Sequence, residues 1–109
     1  SADVSRAADL DTMVREVLAA FGHIDILVNN AGIWPTENVL DTEDASWERV
    51  IDVNLNGPFM LTRALVGQML TRRSGSIINV SSDAGVNGYP TWGAYGVSKA
   101  ALDQLTRDA

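Results

Sequence analysis

The sequence contains no cysteine and a single histidine, His23. Disulfide bonds and thiolate metal sites are therefore excluded, and one imidazole cannot build a zinc cluster unaided. We expect no metal ion in the chemistry of this chain. The lack of cysteine is compatible with a reducing compartment, and we expect a cytoplasmic protein.

Basic residues are also scarce. Eight Lys and Arg stand against 14 Asp and Glu, which gives a net charge of −6. Such a charge repels phosphate backbones and anionic lipid surfaces at long range, so we expect neither nucleic acid nor a membrane as a partner. No apolar run approaches the roughly 20 residues of a membrane span, and no basic, apolar leader opens the sequence. Both features favour a soluble protein.

The hydrophobic pattern predicts the order α-β-α-α-β-α. Apolar residues at three- and four-residue spacing predict an amphipathic helix over about 6–21, with Ser5 as its cap, and a long helical stretch over about 43–73. A last helix is predicted from about residue 93 to the end. The short β-branched runs 24–29 and 76–82 predict strands that helices cover on both faces.

Strands that alternate with helices indicate an α/β fold with a doubly wound parallel sheet. Two strands are too few for such a sheet, and 109 residues are few for an α/β enzyme that must bind both a cofactor and a substrate. No repeat, low-complexity tract or linker divides the sequence. We therefore assign residues 1–109 to a single, incomplete domain.

Tyr95 and Lys99 lie four residues apart and hence on one face of the last predicted helix. A tyrosine normally ionises near pH 10, but a neighbouring positive charge stabilises the phenolate and lowers its pKa. The pair can therefore transfer a proton near neutral pH. The alternative is a solvated tyrosine and lysine on an ordinary helix.

Polar residues also follow both predicted strands. Ser82 closes the second strand, and Asn30, Ala31 and Gly32 close the first, at the sheet edge where parallel α/β folds bind ligands. The Ser82 hydroxyl is therefore a candidate to hold a substrate oxygen near Tyr95. The simpler alternative for residues 30–32 is a strand-to-loop turn.

Together these residues resemble the short-chain dehydrogenase/reductase family, and the resemblance covers essentially the whole chain. It is carried, in the order of the family, by Asp3-Val4, Asn29-Asn30-Ala31-Gly32, Asn54, Ser81-Ser82 and Tyr95-Gly96-Val97-Ser98-Lys99. The catalytic serine of the family typically lies thirteen residues before its tyrosine, which selects Ser82 over Ser81.

The resemblance implies a Rossmann-like fold that lacks its first and last strands, and an oxidoreductase dependent on NAD or NADP. Such an enzyme interconverts a ketone or aldehyde and an alcohol by hydride transfer. Tyr95 would be the general acid and base, and Ser82 would orient the substrate oxygen. Lys99 would bind the nicotinamide ribose and lower the tyrosine pKa, while the main-chain carbonyl of Asn54 would hold a water leading to Lys99.

For the cofactor, the resemblance implies that Asp3 contacts the adenine amino group and Val4 the adenine face. Asn30, Ala31 and Gly32 would line the adenosine ribose side. Without the family context, a loop-side cap is the simpler role for Asp3. The substrate would be a small carbonyl compound or alcohol, and the helices around 43–73 and 93–109 would pair full-length chains into homodimers or homotetramers, unless they pack only within the chain.

Pro58 gives an independent reason to notice Asn54. Proline has no N–H, so the helical bond from residue 58 to the Asn54 carbonyl cannot form, and we expect a kink that leaves this carbonyl free. The alternative is a plain break between two separate helices.

The glycine-rich phosphate loop of the family occurs nowhere in these residues, and neither does the end of its second strand, which distinguishes NAD from NADP. We therefore expect this chain alone to be inactive, and the alternative function is a truncated fragment or scaffold that cannot bind a cofactor. Epimerisation or dehydration through transient oxidation is a third possibility.

Trp34, Tyr89 and Trp92 either form an apolar wall for the substrate or pack within loops, and Trp47 is expected in the core or a subunit interface.

Overall fold

The computed structural model describes residues 2–88 and 93–108. It contains four α-helices and two strands in the predicted order: α1 Ala7–Phe21, β1 Ile26–Asn29, α2 Asp44–Ile51, α3 Gly57–Arg72, β2 Ser76–Asn79 and α4 Gly93–Asp108. Two short 3-10 turns, Val39–Asp41 and Asp83–Gly85, lie in the loops that follow the strands. The predicted order of helices and strands is confirmed.

The start of α1 differs from the prediction. The helix begins after Arg6, whose backbone is extended and whose side chain makes no capping hydrogen bond. Ser5 does not cap it, because the Ser5 N–H and hydroxyl both donate to Oδ1 of Asp3, at 2.9 and 2.6 Å. The predicted Ser5 cap is therefore wrong: a nearer carboxylate binds the hydroxyl.

The two strands pair in parallel, as predicted. Ile26 lies opposite Ser76 and Asn29 opposite Asn79, so the register is continuous over four residue pairs. Both strands are shorter than the apolar runs that predicted them. The ladder ends at Asn79 because β1 ends at Asn29, and Ser82 consequently lies three residues beyond the strand that it was expected to close.

The core lies between the sheet and the helices. Leu27 of β1 packs against Leu10 of α1 and against three residues of α3 in one buried cluster: Leu61, Leu65 and Met69. On the opposite face of the sheet, Ile26, Val28 and Ile78 are 60%, 52% and 49% exposed. The expected helical cover of both faces is thus present on one face only among the described residues.

A ladder of side chains fastens α4 to both strands. The amide of Asn29, on the helix-covered face, donates to Oδ1 of Asn79 at 2.8 Å, and Nδ2 of Asn79 donates to the Thr106 hydroxyl at 2.9 Å. The Thr106 hydroxyl in turn donates to the carbonyl of Leu102 at 2.8 Å. Three elements that are distant in sequence therefore share one line of hydrogen bonds.

A π turn, Asp52–Asn56, joins α2 to α3. The Gly57 N–H donates to the carbonyl of Asp52, five residues back, and the backbone is right-handed at Ile51, Asp52, Asn56 and Gly57. Pro58 is accommodated in this wider turn, since π turns commonly interrupt α-helices in this way. The alternative of a plain break is therefore wrong, and the free carbonyl of Asn54 stays a prediction.

Candidate functional site

Asn54 lies in the π turn and is 1% exposed. Its Oδ1 accepts the N–H of Ile33 at 2.8 Å, and its Nδ2 donates to the carbonyl of Ile33 at 2.9 Å. The same Nδ2 donates to the hydroxyl of Ser98 at 3.1 Å. The side chain of Asn54 therefore binds the loop after β1 on one side and α4 on the other.

Lys99 places its ammonium inside the protein, where the residue is 4% exposed. Its Nζ donates to the carbonyl of Val80 at 2.9 Å and lies 5.6 Å from the ring centroid of Tyr95. Burial lowers the pKa of Lys99 below its ordinary value, and the negative charge of Asp103 opposes that shift. A cation thus stands beside the phenol ring, as the four-residue spacing predicts.

Gly32 brings the loop after β1 next to this cation. A Cβ at Gly32 would lie 3.5 Å from Oδ1 of Asn54 and 3.6 Å from Nζ of Lys99. The backbone of the loop thus passes beside the Lys99 ammonium and the Asn54 amide. The structure brings Gly32, Asn54, Tyr95 and Lys99 together at the carboxyl end of the strands.

Ser82 directly precedes the 3-10 turn Asp83–Gly85, which packs closely on α4. The Ser82 hydroxyl accepts the N–H of Ala84 at 3.2 Å, and its carbonyl accepts the N–H of Gly85 at 3.1 Å. A Cβ at Gly96 would lie 3.0 Å from the carbonyl oxygen of Ala84, so a side chain there would require a small shift of that backbone. The turn that carries Ser82 therefore lies against the first turns of α4, where Tyr95 is located.

The residues expected at the adenosine side occupy two places. Val4, Asn30 and Ala31 line one small cleft, together with Val53 and Pro58. Asp3 accepts two hydrogen bonds from Ser5, which lower the pKa of its carboxyl, and its N–H donates to Oδ2 of Asp9 at 3.0 Å. Asp3 thus has the loop-capping role of the simpler alternative, and its contact with adenine stays a prediction.

Trp34 lies beside Tyr95, with the two ring centroids 6.1 Å apart and the rings tilted by 47°. Its side chain is 53% exposed, so one apolar surface beside the phenol faces outward. Tyr89 and Trp92, the other members of the expected wall, lie outside the described residues. Trp47 on α2 is 40% exposed and lines a shallow cleft with Val39, Thr42 and Ala94.

Sequence reasoning missed the role of Ser98. Its hydroxyl is fully buried and bridges Asn54 to the main chain of Tyr95. The available signal was a hydroxyl three residues after Tyr95 within a helix, a position from which serine commonly bonds a preceding carbonyl. The link to Asn54 had no signal, because the two residues are 44 positions apart.

Two further searches cover the part of the chain that the structure describes. None of the helices in these residues combines the length and the apolar content that a membrane span requires. The same residues contain no group of three or more His, Asp or Glu side chains placed to hold a metal ion.

Comparison with known sequences identifies one family across the whole chain. The family model for short chain dehydrogenases matches residues 1–109. An uncharacterized oxidoreductase of Thermotoga maritima is 46% identical over 93% of this chain and 40% of its own length. A 2-(S)-hydroxypropyl-CoM dehydrogenase of Xanthobacter autotrophicus is 41% identical over 97% of the chain and 42% of its own length. A 3-oxoacyl-[acyl-carrier-protein] reductase of Staphylococcus epidermidis is 39% identical over 99% of this chain and 44% of its own length.

Solved structures agree with this assignment. A short-chain dehydrogenase from Streptomyces avermitilis superposes with a TM-score of 0.96 at 38% identity, over 99% of this chain and 40% of that protein. A metagenomic short-chain oxidoreductase in complex with NADP gives a TM-score of 0.95 at 37% identity, over 99% of this chain and 49% of that protein. An NAD⁺-bound xylitol dehydrogenase gives a TM-score of 0.90 at 38% identity, over 98% of this chain and 42% of that protein. The predicted fold class is confirmed, and the chain spans 40% to 44% of the length of the three curated relatives.

Proposed function

Since this chain belongs to the short-chain dehydrogenase family, we propose that it forms the central part of an oxidoreductase that uses NAD or NADP. The reaction is the interconversion of a carbonyl compound and an alcohol by hydride transfer. The observation that carries the proposal is the placement of the Lys99 ammonium beside the Tyr95 ring, next to Asn54 and Gly32.

Tyr95 is the proton-transfer group of the proposed reaction. Its phenol hydroxyl is the group that can give and take a proton, and the ammonium of Lys99 lies 5.6 Å from the centroid of its ring. Tyr95 then gives its proton to the carbonyl oxygen during reduction and takes it from the hydroxyl during oxidation. The bond from Lys99 to the Val80 carbonyl fixes the ammonium in place while this happens.

The residues present suit a nicotinamide dinucleotide. Val4, Asn30 and Ala31 line one small cleft of about 40 Å³ with mostly apolar walls, which offers an adenosine a contact surface rather than an enclosing pocket. An ammonium has three protons to donate, and beyond the Val80 carbonyl it can serve ribose hydroxyls that approach along the backbone of Gly32. The cofactor supplies the hydride, and the protein supplies position and a proton. Solved relatives with NADP and with NAD⁺ make either cofactor compatible with this family.

The substrate is proposed as a class: a small carbonyl compound or the corresponding alcohol. Ser82 orients the reacting oxygen from the turn that packs on α4, and Trp34 offers an apolar surface beside Tyr95. Relatives are named for substrates as different as a 3-oxoacyl carrier protein, 2-(S)-hydroxypropyl-CoM and xylitol. Acetoacetyl-CoA, 2-hydroxypropyl-CoM and xylitol are therefore the first probes to test.

Substitution of Tyr95 by phenylalanine tests the mechanism in the complete protein. Tyr95→Phe keeps the ring and its packing but has no proton to give, so we expect kcat to fall by about 10²- to 10⁴-fold. Reduction of acetoacetyl-CoA, followed by the loss of NADH or NADPH absorbance, measures this. Thr71→Val, which removes an exposed hydroxyl on α3, is the control and should keep parental turnover. Retention of most activity by Tyr95→Phe would remove the proposed mechanism.

A catalytically inactive fragment is the second candidate function. It is favoured by the absence of a glycine-rich phosphate loop from the sequence and by the coverage of 40% to 44% of the relatives. Titration of the 109-residue chain with NADH and with NADPH, followed by nicotinamide fluorescence, separates the two. A saturable complex that Lys99→Ala weakens supports cofactor binding by this chain, whereas no complex supports the fragment.

Association into a homodimer or homotetramer is part of the same proposal. Phe59 on α3 is 42% exposed and lies 4.9 Å under the guanidinium of Arg63, while Val97 on α4 is 49% exposed. These surfaces lie on the two helical regions that the sequence analysis assigned to pairing. Light scattering of the complete protein measures the oligomeric state, and a monomer would contradict it. The cytoplasmic location stays a prediction.

A further inference from the structure

Ser98 lies on α4 between Tyr95 and Lys99, is fully buried, and has no part in the reaction proposed above. Its hydroxyl donates to the main-chain carbonyl of Tyr95 at 2.7 Å. A hydroxyl carries one proton, so its oxygen faces Asn54 as an acceptor and receives Nδ2 at 3.1 Å. The bond to Tyr95 alone is common for serine in helices. The bond from a buried amide 44 residues away is the informative one.

The bonds of Asn54 leave its amide one orientation. Both protons of Nδ2 are used, on Ile33 and on Ser98, and Oδ1 accepts the N–H of Ile33. A flipped amide would set NH₂ against the Ile33 N–H and its oxygen against the Ile33 carbonyl, which is unfavourable at both atoms. Ile33 and Asn54 exchange two hydrogen bonds, and donation then passes from Asn54 to Ser98 and from Ser98 to the Tyr95 carbonyl, so the network joins the loop after β1 through the π turn to α4.

We propose that Ser98 is a positioning residue that joins the Asn54 side chain to the Tyr95 main chain and so fixes α4 against the loop containing Gly32 and Ile33. The loop is held at Ile33 by Asn54 and passes beside Lys99 at Gly32. Movement of α4 would therefore shift Tyr95 and Lys99 together, relative to the backbone expected at the cofactor. The effect on turnover rests on the proposed function, whereas the hydrogen-bonded link does not.

A matched pair of variants tests the role of the hydroxyl. Ser98→Thr and Ser98→Val have the same shape, and only the first keeps a hydroxyl. In the complete protein, with acetoacetyl-CoA and NADH or NADPH, we expect kcat of Ser98→Val to be about tenfold below that of Ser98→Thr. KM for the cofactor should agree within about twofold, because the lost contact positions the phenol rather than binding the ligand.

Amide hydrogen exchange at Ile33 provides a measurement that does not depend on turnover. Loss of the Ser98 oxygen leaves one Nδ2 proton of Asn54 without an acceptor, so the amide loosens, and the Ile33 N–H should exchange about tenfold faster in Ser98→Val than in Ser98→Thr. If the extra methyl group unfolds both variants, Ser98→Ala adds no atom. It should then show the same loss of kcat and the same faster exchange relative to the parent.

The outcomes separate the two proposals. Activity retained by Tyr95→Phe would refute the proposed function, whatever the Ser98 variants do. If Tyr95→Phe is inactive while Ser98→Val and Ser98→Thr share the same kcat, Ser98 has no positioning role and the inference is overturned. If the parent does not turn over the probe, equal exchange at Ile33 in the two variants overturns it and faster exchange in Ser98→Val supports it.

Discussion

Lys99 shows how one residue combines burial with charge. Transfer of an ammonium out of water is costly unless it is paired and hydrogen-bonded. Here the Val80 carbonyl, the face of the Tyr95 ring and the charge of Asp103 compensate for part of that cost. Burial still dominates, since the pKa of Lys99 is lowered from its ordinary 10.5. The residue is therefore poised to lose its charge at a lower pH than a solvated lysine.

Replacement of Asp103 by asparagine should lower the pKa of Lys99 further. Asp103→Asn removes the negative charge that opposes desolvation, with little change in shape. The alkaline limb of the pH profile of kcat/KM for alcohol oxidation should then move to lower pH. In the unfolded chain, Lys99 keeps its proton up to about pH 10.5. The free energy of unfolding therefore rises with pH between the lowered pKa of the folded state and 10.5. Asp103→Asn should extend this pH range to lower pH.

The control for this experiment is Glu16→Gln, which removes an exposed carboxylate on α1. It changes the net charge by the same amount but lies outside the site, so the alkaline limb should stay where it is in the parent. An alkaline limb that is equal in the Asp103 and Glu16 variants would show that Asp103 does not act on the charge of Lys99.

The start of α3 sets the position of another element, the segment around Val4. A Cβ at Gly57 would lie 2.7 Å from the Val4 carbonyl oxygen and 3.2 Å from the Val4 Cβ. Backbone therefore packs directly on backbone, and the glycine is needed for close approach rather than for an unusual φ. Because Val4 lines the cleft with Asn30 and Ala31, this contact also shapes the expected adenosine surface.

An alanine at position 57 should therefore displace the Val4 segment. We expect Gly57→Ala to lower the free energy of unfolding by about 1–3 kcal/mol, as overpacking does, and to weaken the binding of NADH or NADPH. Urea denaturation and nicotinamide fluorescence measure the two effects. Gly67→Ala on the same helix is the control. Nothing lies within 4 Å of a Cβ at this position, so the free energy of unfolding should rise by about 0.5–1 kcal/mol. Equal stability of the two variants would contradict the contact.

At the scale of the whole molecule, the uncovered face of the sheet is the dominant feature. Ile26, Val28, Ile78 and Val80 are all at least 40% exposed there, whereas the helices α1 and α3 pack on the other face. Contiguous apolar surface of this kind promotes association with other surfaces. The 109-residue chain is therefore expected to self-associate through this face.

Threonine substitutions on that face test the expectation. Val28→Thr together with Ile78→Thr keeps β-branched side chains and strand propensity but adds hydroxyls and removes apolar surface. We therefore expect the apparent mass of the 109-residue chain in sedimentation experiments to fall. The helical circular dichroism signal should not change. Val86→Thr, at a residue that is 73% exposed in a loop, is the control and should leave association unchanged. Association that persists in the double variant would assign it to another surface.

Local patterns determined how much could be predicted. The helices and the parallel strands followed from the periodicity of apolar residues, and the nearness of Tyr95 and Lys99 followed from four-residue spacing. The Ser5 cap failed because a competing acceptor, Asp3, lies two residues away. The composition of a strand shows that its side chains are apolar. It does not show which face of the sheet is covered by helices of the same chain.

Long-range contacts account for what the sequence did not reveal. The side chain of Asn54 binds Ile33, 21 residues away, and Ser98, 44 residues away, and neither contact leaves a periodic signal. The proline at position 58 indicated an irregular helix, but not that a π turn would keep the backbone continuous. These contacts depend on how the helices pack, which single-sequence patterns do not encode.

The π turn has a consequence for chain length. The turn contains one residue more than an α-helical turn. The packed faces of α2 and α3 are therefore aligned as they would be in a regular α-helix with one residue fewer. Removal of one residue from 52–56 would leave Pro58 inside a regular helix, where its missing N–H and its ring cost about 3 kcal/mol. It would also take Asn54 away from Ile33 and Ser98. The extra residue therefore both accommodates Pro58 and places the buried side chain of Asn54. Loss of a single codon at this place is therefore expected to separate the loop after β1 from α4 in one step.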